Sequence, residues 1–387
     1  MKPSRSNSRF ALLPMALLSA LAAIALQGCA REPMPILAPV APSAGSTSVP
    51  ILTITTRAPD VDAGLMFTGE RGSQVSLSSI NVTIPPERVV GAVQWPRQAP
   101  ANPAREFSVS SAKSIDRAQA VAWIKAHAGR QRRMFVYVHG FNVPFGQGVF
   151  RFAQMIHDSQ MAAAPVLFSW PSRGRLLDYK RDLDNATYSR TDLANFLRLA
   201  AASPAVDEII VFAHSMGSWL AVEAVRELAL EKGGTPVKIR NLILAAPDLD
   251  VGVFRRQIID MGSRRPTLTL FISQSDRALQ LSQFLARGGA RLGAVDLSAD
   301  HYREQLKQLR DVNVIDLTAL RQGDRINHSL YAASPETVRL IGRQLVEGQP
   351  LGGVDSSGGF EVVETIGSAA RLIIATPVLI FDATAER

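Results

Sequence analysis

The chain has 387 residues, 47% of them hydrophobic and 20% charged, a balance that excludes a disordered protein and allows one large folded domain with appendages. Its net charge of +8 comes from cations that are scattered or interleaved with acids, as in Arg173, Arg175, Asp178, Lys180, Arg181, Asp182 and Asp184, without the regular aromatics of a nucleic-acid surface. A single cysteine, Cys29, excludes an internal disulfide and a cysteine-based metal site.

The first 28 residues have the layout of a secretory signal peptide: basic Lys2, Arg5 and Arg9, an apolar stretch from Phe10 to Leu26 interrupted by Pro14, and a small-residue end. Removing those three cations lowers the net charge from +8 to +5. The end, Leu26-Gln27-Gly28-Cys29, resembles the lipobox of bacterial lipoproteins, with Gln27 a less usual occupant of its place. That resemblance implies cleavage before Cys29 and lipidation of its thiol, each buried CH₂ of an acyl chain contributing ~0.8 kcal/mol to membrane attachment. An uncleaved transmembrane anchor is the alternative, opposed by Pro14 and by the ~20 apolar residues a span requires. In bacteria that sort lipoproteins by the next residue, Ala30 favours the outer membrane, facing the periplasm. Residues 29–50 carry Pro33, Pro35, Pro39, Pro42 and Pro50 among Ala, Ser and Gly, and are expected to be an extended tether.

From residue 51 to about 96 the chain is β-rich, with strands expected at Ile51–Thr56, Val75–Leu77, Ile80–Ile84 and Val89–Trp95. Beyond Ser114, helices alternate with short apolar strands. A helix around Ala118–Lys125 precedes a strand at Met134–Val138, a helix at Phe150–Met155 precedes a strand at Val166–Phe168, and a helix at Leu193–Leu199 precedes a strand ending at Phe212. Further strands are expected at Leu242–Ala245, Leu268–Ile272 and Val312–Leu317, with a helix beginning near Pro335. This alternation predicts a mostly parallel central sheet with helices on both faces, and places ligands beyond the carboxyl ends of its strands. The domain is taken as 51–346. Residues 347–387 are expected to be a Gly-rich linker and C-terminal tail, whose apolar run Leu372–Phe381 is too short to span a bilayer and reads as a strand or packed segment.

Where apolar runs stop, chemistry-bearing residues stand. Ile209-Ile210-Val211-Phe212 runs into Ala213-His214-Ser215-Met216-Gly217, and an amphipathic stretch follows. Small residues two places before and after the serine let strand and helix backbones meet in a sharp turn, so Ser215 is a nucleophile candidate as well as a possible helix cap. The backbone N–H of Met216, at the helix start, is one candidate oxyanion donor. The other is that of Phe141, in His139-Gly140-Phe141-Asn142, where the strand at Met134–Val138 ends. His139 is expected to shape that loop.

A serine hydroxyl needs a base, and the base needs an orienting acid. Of the six histidines, His127, His157 and His301 read as surface residues, and the side chain of His214 should point away from Ser215. His328, in the loop after the last expected strand, is the candidate base. Asp276, after the penultimate strand, is the candidate acid, and Asp248, in Pro247-Asp248-Leu249-Asp250, is the reserve. The chain order Ser215, Asp276, His328 is that of α/β-hydrolases. Trp170 and Tyr179 lie where they could line a substrate pocket or pack as structural aromatics.

Seven short pieces strengthen this pattern: Thr55-Thr56-Arg57-Ala58-Pro59, Gly69-Glu70-Arg71-Gly72, Val138-His139-Gly140-Phe141-Asn142, Ser169-Trp170-Pro171-Ser172, Ala213-His214-Ser215-Met216-Gly217, Ala246-Pro247-Asp248 and Ser275-Asp276-Arg277-Ala278. Together they resemble a bacterial α/β-hydrolase family of uncharacterised esterase/lipase-like proteins, over residues 51–346. The resemblance implies the α/β-hydrolase fold and the triad but no defined substrate. The triad's own chemistry leads to the expectation of an ester substrate, a small molecule or a lipid, and calls for no metal or organic cofactor. Two other readings stay open. One is a lipid-anchored envelope protein that keeps the fold for binding or structure without turnover. The other is a serine acyltransferase or thioesterase.

Overall fold

The computed structural model of the protein describes residues 34–286, 289–296, 312–318, 328–333, 337–338, 361–366 and 370–374. Among them the β-branched and aromatic runs form an eleven-stranded sheet. In chain order the strands are β1 (Thr47–Pro59), β2 (Phe67–Ile84), β3 (Ser108–Ser114), β4 (Arg133–Val138), β5 (Ala164–Ser169), β6 (Glu208–His214), β7 (Ile239–Ala245), β8 (Thr267–Ile272), β9 (Val312–Asp316), β10 (Glu361–Ile366) and β11 (Ala370–Ile374). Their spatial order is β10-β11-β9-β8-β7-β6-β4-β5-β1-β2-β3. The block from β9 to β1 is parallel throughout, and antiparallel strands flank it at both edges.

The central strands are apolar on both sides because helices cover both faces. The two-residue period of a strand sends Ile209, Val211 and Ala213 of β6 into one buried cluster and Ile210 and Phe212 into the other. The first cluster is completed by α1 (Arg117–His127), α3 (Tyr179–Tyr188), α4 (Arg190–Ala202), α5 (Met216–Lys232) and α6 (Val251–Met261). The second is completed by α2 (Phe145–Ser159). Two more helices, α7 (Arg277–Ala286) and the single turn α8 (Leu330–Ala333), follow strand ends. No described helix is long and apolar enough to cross a membrane.

From β4 the chain passes to β5 on one side and then to β6 on the other. This reversal opens a crevice at the carboxyl ends of β4 and β6, the position at which parallel α/β sheets take ligands.

Several expectations need correction. Pro35–Arg387 forms one compact unit, so the tether does not extend to residue 50. Leu37 is fully buried in the second cluster, its N–H donates to the Gly64 carbonyl at 2.9 Å, and the Val40 N–H donates to the Val109 carbonyl at 2.8 Å. Proline keeps this segment extended, and an extended segment with one apolar anchor can lie along a sheet as well as hang from it. Residues 29–33, Cys29 among them, lie outside the described residues, as does His301.

Val89–Trp95 is not a strand. Arg88 forms an ion pair with the buried Asp158 of α2, and the Gly91 N–H donates to the same carboxylate at 2.8 Å, so the segment is pinned as a loop while Ser108–Ser114 supplies the third strand. At the other end, β11 pairs antiparallel with β9, Leu372 opposite Ile315, and moves the end of the domain past residue 346. An uncovered β9 would present a row of unpaired backbone groups, and β11 satisfies them. The single turn Leu330–Ala333 directly follows the His328 loop, while the start expected near Pro335 lies outside the described residues.

Candidate active site

Ser215 joins β6 to α5 with φ 52° and ψ −124°, a region non-glycine residues avoid. Glycines make the turn possible. A Cβ on Gly217 would lie 2.3 Å from the His139 carbonyl oxygen, and one on Gly140 would lie 2.9 Å from the Ser215 Cβ. The loop after β4 and the turn after β6 therefore pack with no room for a side chain at either glycine. The Ser215 N–H donates to the Ala245 carbonyl at 2.9 Å, while its own carbonyl accepts from the Ser218 N–H at 2.9 Å and the Asp248 N–H at 3.2 Å. Met216 is the first residue of α5, where backbone N–H groups have no partner within the helix.

Asp276 is fully buried in the loop after β8. One carboxylate oxygen accepts the Leu279 N–H at 3.0 Å in the first turn of α7, and the other accepts from His328 Nδ1 at 2.7 Å. With its proton held on Nδ1, the His328 ring presents a basic Nε2.

The loop carrying His328 is braced from the serine turn. His214 Nε2 donates to the His328 carbonyl oxygen at 3.2 Å, and the two rings lie 4.6 Å apart. The His214 ring also contacts that of Tyr331, at 4.5 Å, and the Tyr331 hydroxyl is 3.0 Å from that of Tyr137 in β4. Burial first, and the neighbouring His328 second, hold the His214 pKa well below the ordinary histidine value, so the ring is neutral and able to donate.

Asp248, the reserve acid, is committed elsewhere. Its carboxylate accepts from the Tyr179 hydroxyl at 2.9 Å and from Ser282, and lies 3.2 Å from Arg291 Nε in an almost fully buried ion pair. Tyr179 is a packed aromatic, its ring edge-on to Phe141 at 5.3 Å. Trp170 is fully buried, donates from Nε1 to the His139 carbonyl at 2.8 Å and stacks on the imidazole at 5.0 Å.

The oxyanion-loop candidate is held by a residue whose role the sequence reading missed. Arg57, in β1, is fully buried, and each guanidinium N–H has an acceptor: Nε to Ser169 Oγ (2.9 Å), Nη1 to the Thr68 (3.1 Å) and Ser172 (2.9 Å) carbonyls, Nη2 to His139 Nε2 (3.2 Å) and the Val143 carbonyl (2.7 Å). Burial lowers its pKa to about 9, with Asp182 opposing the fall. His139 is lowered to about 3 by burial and then by the Arg57 charge, so it is neutral at pH 7. His214 and Tyr331 were likewise not singled out as supports of the histidine loop, because their contacts join strand ends far apart in the chain.

Residues 116–344 match a family described as alpha/beta hydrolase of unknown function (DUF900). A relative from Nostoc sp., the uncharacterized protein alr1448, is 25% identical over 224 residues, which cover 46% of this chain and 57% of that protein. The chain thus spans little more than half the length of that relative. Similar solved structures include a fungal esterase from Rhizomucor miehei (12% identity, 89% of this chain and 92% of that one, TM-score 0.38). Others are carboxyl esterase 2 of Tuber melanosporum (12%, 85% and 97%, TM-score 0.35) and a predicted CIB-like hydrolase from Thermoplasma acidophilum (13%, 70% and 93%, TM-score 0.35).

Proposed function

The chain belongs to the family of alpha/beta hydrolases of unknown function (DUF900), and on that premise we propose that it is a serine hydrolase cleaving carboxylic esters through an acyl-enzyme on Ser215. The observation that carries this reading is the 2.7 Å bond from His328 Nδ1 to the buried Asp276, on the same sheet edge as the strained Ser215 turn. His328 Nε2 takes the Ser215 proton as the hydroxyl attacks the ester carbonyl. The Met216 and Phe141 N–H groups hold the oxyanion, each such donor being worth about 3 kcal/mol in a serine protease. The imidazolium, stabilised by Asp276, then protonates the leaving alcohol, and water releases the acid by the reverse sequence.

The expected substrate is a small-molecule or lipid ester. Leu176 and Leu177, 63% and 95% exposed, stand in the short turn that leads through Asp178 to Tyr179, whose ring meets Phe141, and such an exposed apolar pair favours an apolar substrate. A lipid on Cys29 would tether the enzyme to the bacterial envelope, with the outer membrane facing the periplasm as its site.

Fluorophosphonate labelling tests the reaction: wild type should be labelled, Ser215→Ala and His328→Ala should not. A folded wild type that resists the probe would refute it. For the tether, Cys29→Ser should move the protein from the membrane to the soluble fraction.

A further inference from the structure

We propose that Arg57 is a positioning residue that acts through His139 to fix the Gly140–Phe141 peptide, so that the Phe141 N–H is presented to the oxyanion. The inference rests on the assignment of Ser215 as the nucleophile.

A guanidinium has donors only, so His139 Nε2, 3.2 Å from Arg57 Nη2, must be an acceptor. Ser169 Oγ accepts from Arg57 Nε and, at 3.1 Å, donates to the same imidazole nitrogen. The single proton of the neutral ring is thereby placed on Nδ1. That atom lies 2.9 Å from the Gly140 carbonyl oxygen, which can only accept. Both ends of the ring thus require the same tautomer.

The peptide plane carries the effect onward. In a trans peptide the carbonyl oxygen and the following N–H point in opposite directions. The bond that draws the Gly140 oxygen to His139 therefore turns the Phe141 N–H away from that ring. Gly140 itself is packed against Ser215, leaving no room for a Cβ between them, so this N–H belongs to the backbone lining the nucleophile. Arg57 also grips the Val143 carbonyl in the loop after β4 and the Ser172 carbonyl in the loop after β5, and so fixes the far end of the oxyanion loop. A lysine, with one nitrogen and three protons, cannot serve five acceptors spread around a planar fork.

The test compares Arg57→Lys, His139→Phe and His139→Asn. His139→Phe keeps an aromatic ring against Trp170 and loses the donor, whereas His139→Asn puts an amide near the Nδ1 position and restores it. For an activated ester, Arg57→Lys and His139→Phe should lower kcat about 10²-fold, the scale of losing one oxyanion donor, with KM nearly unchanged. Affinity for a trifluoromethyl ketone, whose oxyanion needs the same N–H, should fall in parallel, and His139→Asn should recover most of both losses. A folded His139→Phe protein with wild-type kcat and inhibitor affinity overturns the proposal.

Nitrogen-15 NMR of the resting protein separates this inference from the catalytic reading. His139 should carry its proton on Nδ1, and the Phe141 amide resonance should move in Arg57→Lys and His139→Phe. A proton on Nε2, or an unmoved amide, overturns the relay whatever the activity. Turnover that survives Ser215→Ala overturns the nucleophile and, with it, the catalytic purpose assigned to the relay.

Discussion

Asp276 divides its carboxylate between two partners, giving one oxygen to His328 Nδ1, fifty-two residues away, and the other to the first turn of its own helix at Leu279. The helix contact fixes the direction of the oxygen that orients the imidazole, and burial excludes water from both.

Asp276→Asn should separate orientation from folding. An amide can accept from one partner but offers N–H₂ to the other, so His328 loses the tautomer that exposes a basic Nε2. We expect kcat to fall about 10³- to 10⁴-fold, as for the corresponding change in a serine protease, with an unfolding midpoint close to wild type. Steady-state ester hydrolysis alongside thermal melts provides the check.

Asp248→Asn should behave in the opposite way. Arg291 would keep its charge in an almost fully buried position without a compensating carboxylate, at a stability cost of about 3 kcal/mol. Fluorophosphonate labelling of Ser215 at a temperature where the variant is folded should persist. Loss of labelling with unchanged stability would instead return Asp248 to the catalytic machinery.

Gly217→Ala adds a carbon 2.3 Å from the His139 carbonyl and 2.8 Å from that of Val138, both of them backbone atoms that cannot swing aside. Separating α5 from β4 should cost about 3 kcal/mol or more and spread the oxyanion donors at the same time. Urea titration and the labelling rate should therefore fall together, whereas alanine at an exposed helical position should change neither.

Stability should decline with acid. His139 is held neutral down to about pH 3, and His214 is also lowered, while in the unfolded chain both take up protons below about pH 6.5. The unfolded state then binds more protons, so each ring removes stability as pH falls from about 6.5 towards its folded pKa, at up to about 1.4 kcal/mol per pH unit. Asp158, lowered by its bonds to His157, Arg88 and Gln154 against the opposing effect of burial, contributes stability above the unfolded carboxylate value and loses it in stronger acid. Urea midpoints between pH 7 and 4 should fall steeply in wild type and less steeply in His139→Asn.

Removing residues 361–387 should uncover β9, which pairs with β11. A bare parallel edge invites pairing with other chains. The truncated protein should scatter light and lose soluble yield under conditions where the full chain does not.

The strand ends that carry Ser215, Asp276 and His328 were legible because a parallel sheet forces its connections to one edge, and apolar runs in the sequence end where those connections begin. Arg57 was different. Its acceptors come from three separate segments, around Thr68, His139–Val143 and Ser169–Ser172, and no periodicity in β1 announces a buried cation. The segment from Pro35 to Pro50 misled for a related reason, since composition reports whether a stretch can build a core but not whether one leucine finds a slot in a neighbour's. The pinned loop after Arg88 concealed itself likewise, because its anchor, Asp158, lies seventy residues along the chain.

The crossover between β4, β5 and β6 has a kinetic consequence. Ser215, Asp276 and His328 hang from β6, β8 and β9, and no local stretch of chain contains any two of them. Such contacts form late, after much loop-closure entropy has been overcome. On the proposed chemistry a half-folded chain would be silent, however much helix it has formed, and during refolding labelling of Ser215 should appear after the far-ultraviolet signal has recovered, when β9 docks and brings His328 to Asp276.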